Sequence, residues 1–133
     1  MDYVPLWNKS NASFLEGASH PEELVTEAHQ LGLSALSLTD RDGVYGVVRA
    51  HVKALELNQK LLIGAEMSVA KGVLSHVKGD TIAHAGSASL PGSDGPLVVL
   101  AKNRAGYGAL TQWISAARQR CDKGSAISHL EDV

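Results

Sequence analysis

Four acids, Glu16, Asp40, Asp42 and Glu66, are spaced along the first half of the chain so that one end of a sheet could gather them. Carboxylate oxygens in such a cluster suit the hard cations Mg2+, Mn2+ or Ca2+ rather than zinc. Lys9 and Arg41 fall among these acids. A carboxylate cluster without metal is a set of like charges in mutual repulsion. Either cation would restore neutrality by pairing with Asp40 or Glu66. Asp40 and Asp42 also have a plainer use, because aspartate favours turns and helix starts.

The other reactive side chains form no recognisable constellation. His20 and His29 fit the two ends of a first helix, His51 the middle of a second, and His129 the tail. His76 and His84 lie eight residues apart, which is not a ligand spacing. Cys121 is the only cysteine, so no internal disulfide forms, and it has no histidine nearby in sequence to activate it. Gly43, Gly46, Gly106 and Gly108 stand outside any phosphate-binding pattern and suit close helix-to-sheet packing. Arg118, Arg120 and Lys123 are expected to form a solvated helix end.

These residues need elements to hold them. Residues 3–7 are strand-like. Ser19 is the expected N-cap of a helix, with Glu22 completing a capping box, Pro21 in the first turn and Gly32 past the end. Residues 35–39 form a short strand ending in the turn Asp40-Arg41-Asp42-Gly43. A helix is predicted over 44–57, burying Val44, Val47, Val48, Val52 and Leu55, with Asn58 as its stop. Residues 61–69 and 97–101 form two further strands. Asn103 caps a last helix through about Arg120, packing by Tyr107, Leu110, Ile114 and Ala117. Residues 71–96 are predicted to be a long flexible loop with a weak hairpin at 73–81, and residues 122–133 are weakly patterned. Strands alternating with helices imply a largely parallel sheet, whose functional end is the C-terminal edge of its strands. Lys9, Asp40, Arg41, Glu66 and Lys102 are expected there.

The chain has 133 residues, 44% of them hydrophobic, which fits one α/β domain with a real core. A net charge of -2 argues against a general nucleic-acid surface. No apolar run approaches the roughly 20 residues of a membrane span. Its opening residues hold no basic segment followed by an apolar run, so a secretory signal is not expected and a cytoplasmic setting is.

Four segments in order, VPLWNKSNASFLEGASHPEELV, ALSLTDRDGVYGVVRAH, LLIGAEMSV and LVVLAKNRAGYGALTQWIS, resemble the PHP (polymerase and histidinol-phosphatase) domain. They are most similar to the N-terminal PHP domain of bacterial C-family DNA polymerases, the polymerase III alpha subunits and their error-prone branch. The resemblance implies the N-terminal half of a distorted seven-stranded β/α barrel with mostly parallel strands. It also implies a metal cluster supporting phosphoester hydrolysis in active members. Trp7 and Lys9 stand at the two histidines of the family's His-x-His. Glu16 stands at a usual aspartate ligand. Asp40 and Arg41 stand in the Thr-Asp-His motif, with Arg41 at its histidine. Glu66 matches a glutamate ligand, and Pro96 replaces a further histidine. Tryptophan, ammonium and guanidinium groups offer a metal no lone pair.

The resemblance therefore implies a vestigial site at Trp7, Lys9, Glu16, Asp40, Arg41, Glu66 and Pro96. No catalytic residue and no cofactor is expected, and the role implied is structural or interactive in DNA replication or repair synthesis. The alternative is a weak phosphoesterase using Mg2+ or Mn2+. Four strands do not close such a barrel. Open strand edges and exposed apolar inner faces are expected, and with them a homodimer or a tight complex with the missing half. No direct contact with nucleic acid or membrane is expected.

Overall fold

A computed structural model describes residues 3–70, 93–129 and 132. The element order is α1 (Pro21–Gln30), β1 (Leu36–Leu38), α2 (Val47–Leu57), β2 (Leu61–Ala70), β3 (Ser93–Leu100) and α3 (Arg104–Gln119). The chain is α/β, as expected.

Local signals set most boundaries. Pro21 takes the first position of α1, so the N-cap is His20 and not Ser19. The box partner moves with it, and the His20 backbone N–H donates to Glu23 Oε2 at 2.8 Å. Past α1, Gly32 adopts φ +66°. Its N–H donates to the His29 carbonyl while that of Leu33 reaches the Ala28 carbonyl, which closes the helix end. Asn58 stops α2 with φ 52°. The Asn103 side chain caps α3 by accepting from Gly106 N at 2.9 Å.

The sheet order is β1-β2-β3, with β1 parallel and β3 antiparallel to β2. The expectation of mostly parallel strands is corrected here. Ala70 pairs with Ser93 and Gly64 with Leu100, so the chain returns beside the end of β2 instead of crossing over. Residues 93–96 therefore begin a strand and are not loop. The rest of the predicted loop, the hairpin at 73–81, His76 and His84 lie outside the described residues. The reversal also moves Lys102 to the opposite end of the sheet from the acids, since the preceding Ala101 N–H donates to Ile63 O.

Residues 3–7 are not a regular strand, but they run beside β1. Ser37 N donates to Pro5 O and Thr39 N to Asn8 O. Pro5 has no N–H to return, and Asn8 N turns to the Thr39 side chain at 3.0 Å, so the ladder is broken. The outer edge of β1 is covered in this way. The tail is docked as well, with Ser128 N donating to Ser68 O and Ala70 N to Ser128 O.

All three helices pack on one face of the sheet. Leu36, Leu38, Val25, Ala28, Val47, Ala50 and Ala54 form one cluster. Ala65, Met67, Val69, Leu110, Trp113 and Ile114 form the second, and Val44 touches both. Strand alternation turns Ser37, Thr39, Gly64, Glu66 and Ser68 to the other face, where the register of β3 sets Pro96, Val98 and Leu100 beside the last three. That inner face is polar around Glu66 and apolar along β3.

The buried side of α2 is also corrected. Val47, Ala50 and Ala54 face inward, while Val48, Val52 and Leu55 are exposed. Small residues win the inner side because α1 comes close. A Cβ on Gly46 would lie 2.6 Å from Pro21 Cγ.

Candidate functional site

The polar inner face, the turn after β1 and residues 7–17 meet over Glu66, which is 1% exposed. A parallel bridge between Arg41 and Glu66 brings the turn alongside β2. Asp42 N donates to Glu66 O at 2.8 Å and Glu66 N to Asp40 O at 3.0 Å. The backbone thus fixes three of the expected positions before any side chain is considered.

Three donors converge on two glutamates. Trp7 Nε1 donates to Glu66 Oε2 at 2.5 Å. Lys9 Nζ lies 2.9 Å from both Glu66 oxygens and also bonds Glu16 Oε2. Arg41 Nη1 bonds the other Glu16 oxygen. Lys9 also sits 5.7 Å from the Trp7 ring centroid, within cation–π range. Burial pushes the Glu16 carboxyl up, but the hydrogen bonds and charges of Lys9 and Arg41 outweigh this and hold it below the usual range. Trp7 stays 36% exposed at the edge of the site.

Asp40, a possible partner of either cation from the sequence, is held by neutral donors instead. Ser10 N donates to its Oδ1 at 2.7 Å, Ser10 Oγ to Oδ2 at 2.8 Å and Ser13 Oγ to Oδ1 at 2.8 Å. Ser13 Oγ in turn accepts from Arg41 N at 2.9 Å. This cradle needs glycine at position 17, where a Cβ would stand 2.1 Å from Ser10 O.

Asp42 forms a third point of attachment. It adopts φ 47° and accepts from Ser68 N and Ser68 Oγ, each at 2.7 Å. Its own carbonyl accepts from Arg118 Nε at 2.9 Å and Arg118 Nη2 at 2.7 Å. Arg118 is thus not a solvated helix end but a tie from α3 to the turn. Burial raises the Asp42 carboxyl above its usual range, against the Ser68 hydrogen bonds and the Arg41 and Arg118 charges.

Pro96 pairs with Ser68, two positions along from the Glu66–Val98 pair and on the same face. Six of the seven expected positions, Trp7, Lys9, Glu16, Asp40, Arg41 and Glu66, therefore share one site, and Pro96 adjoins it. Sequence reasoning missed Ser10, Ser13, Ser68 and Arg118. The three-residue spacing of Ser10 and Ser13 ahead of the Asp40 turn was the available signal. No group of three or more His, Cys, Asp or Glu side chains arranged to hold a metal occurs among the described residues.

The error-prone DNA polymerase of Saccharophagus degradans is 38% identical over 133 residues, which is 100% of this chain and 11% of the relative. That of Bordetella bronchiseptica is 43% identical over 131 residues, covering 98% of this chain and again 11% of the relative. The chain thus spans about a tenth of the length of these relatives. Among solved structures, a Chromobacterium violaceum amidohydrolase with bound sulfate and no metal superposes with TM-score 0.55 at 23% identity, covering 89% of this chain and 33% of its own. A protein assigned as a metal-dependent phosphoesterase, from Bifidobacterium adolescentis, gives TM-score 0.51 at 21% identity, covering 88% of this chain and 35% of its own. At these identities the two structures speak to the fold alone. Residues 6–131 match the PHP domain, and the chain belongs to that family.

Proposed function

We propose that this chain is a metal-independent PHP domain that braces a polymerase of the error-prone type. The observation that carries the reading is the pairing of Lys9 and Arg41 with Glu16 and Glu66. The indole N–H, the ammonium and the guanidinium are all donors and offer no lone pair to a metal. The two glutamates that remain as oxygen ligands already have their charge balanced. A divalent cation would have to displace Lys9 from a carboxylate that is 1% exposed. The donor set therefore does not fit a metal, and no hydrolytic step is assigned to it.

What remains is a scaffold. The same contacts tie residues 7–17, the turn at 40–42 and β2 into one unit, and the likeness to error-prone DNA polymerases supports a role in DNA synthesis during replication or repair. The competing reading is a phosphoesterase using Mg2+ or Mn2+ at the two remaining glutamates, the class of activity named for the Bifidobacterium neighbour. Elemental analysis of protein purified without chelator separates the two. The expected result is less than stoichiometric metal and no phosphoester hydrolysis in added Mn2+. A stoichiometric metal, or Mn2+-dependent hydrolysis abolished by Glu66→Ala, would overturn the scaffold reading.

A further inference from the structure

The outer face of α2 carries an apolar stripe that stays exposed among the described residues. Val48, Val52 and Leu55 are 71%, 51% and 69% exposed, and Tyr45, just before the helix, is 62% exposed. Within the helix, Val48, Val52 and Leu55 follow the 4-3 spacing of heptad a and d positions, the pattern by which one helix receives another, while Tyr45 precedes the N-cap and stands 5.5 Å from Arg118. At the Tyr45 end a cavity of about 230 Å3 opens, lined in part by Val44, Tyr45, Ile114 and Arg118. It has room for an apolar side chain from an occupant. The charges beside the stripe are already used within the domain, Arg49 with Glu22 and Lys53 with Glu56. The seat therefore selects apolar shape more than charge.

Its size indicates which occupant holds. With 11 residues, α2 offers a seam about 16 Å long. A single seam of that length falls well short of the roughly 800 Å2 per partner typical of a stable free complex. A second copy would be held weakly. A segment on the same polypeptide acts at an effective concentration near millimolar, where a small interface is enough. The error-prone polymerase relatives carry the matched region as 9–11% of a longer chain, so they have ample chain to supply it.

We propose that Tyr45, Val48, Val52 and Leu55 seat an amphipathic helix from the polymerase portion of the same polypeptide. The proposal rests on the bracing reading above and names the surface through which the brace acts.

The test is thiol labelling in a chimera in which this chain replaces the matched 131 residues of the Bordetella bronchiseptica polymerase. Val48→Cys is introduced with Cys121→Ser, and modification at position 48 is followed by peptide mass spectrometry. The expected result is labelling about tenfold slower in the chimera than in the 133-residue chain alone, with Gln119→Cys unaffected. Adding Val52→Glu to the chimera is expected to restore fast labelling at 48. Equal rates in the two contexts would overturn the proposal. Protection that grows with concentration in the isolated chain would overturn it in favour of a second copy. Equal rates in a metal-free chain defeat the seat alone, whereas a bound metal defeats the bracing reading whatever the labelling gives.

Discussion

Two groups of carboxylates share one site and are satisfied in opposite ways. Glu16 and Glu66 are met by cations and an indole, and Lys9 and Arg41 are 15% and 26% exposed. Asp40 and Asp42 are met by serine hydroxyls and backbone N–H groups. The aspartates hold loops in place, and their donors belong to the backbone and to short side chains that hardly move. The glutamates are held by long side chains whose charge does the work of neutralisation. A fold can exchange the second kind of partner without disturbing the first. This explains how a site can change its chemistry while its frame persists.

The sharpest way to break that distinction is at Asp40. Asp40→Ala removes three charge-assisted hydrogen bonds and frees residues 10–13, so a loss of about 4 kcal/mol is expected in urea unfolding. A loss under about 1 kcal/mol would mean that the aspartates are not the frame.

The glutamates and their cations are expected to respond less, and non-additively. Lys9→Met leaves Glu66 buried with its charge partner removed, at a cost of about 3 kcal/mol. Lys9→Met with Glu66→Leu removes both charges and is expected to be clearly less costly than the two single changes summed. Strict additivity in this double-mutant cycle would show that Lys9 and Glu66 are not coupled.

The smallest effect is in the pH dependence, where the two groups have opposite signs. The depressed Glu16 carboxyl contributes stability that is complete above its ordinary value and is lost as pH falls through its lower folded value. The raised Asp42 carboxyl does the reverse. Its folded state favours the proton, so stability declines as pH rises from its ordinary value through its raised one. Glu16→Gln should remove the acid limb, and Asp42→Asn should remove the decline. Thermal melting across the acid range reads both, and identical slopes in the two variants would contradict the assignment.

Much of this architecture was legible in the sequence because its causes are local. Gly32, Asn58 and Asn103 stop or start helices through their own backbone and side-chain geometry. The apolar face of α3 was visible for the same reason, since period and capping need only a dozen neighbouring residues. The box at α1 was displaced by one residue because Pro21 fixes where the helix begins. The inner face of α2 was misjudged because counting apolar residues favours Val48, Val52 and Leu55. Packing against α1 instead rewarded the smaller Ala50 and Ala54.

The sequence by itself determined an α/β chain and set Trp7, Lys9 and Arg41 among its acids. Only the tertiary structure decided which acid each one meets. Lys9 reaches Glu66 across 57 residues and Trp7 across 59, distances over which no local pattern carries information. The register of β1 on β2 and the Arg41–Glu66 bridge bring those atoms within bonding range. The same holds for the antiparallel return of β3 and for the reach of Arg118 to Asp42. Each depends on where the sheet places its strands, because a hydrogen bond is specified by position in space and not by spacing along the chain.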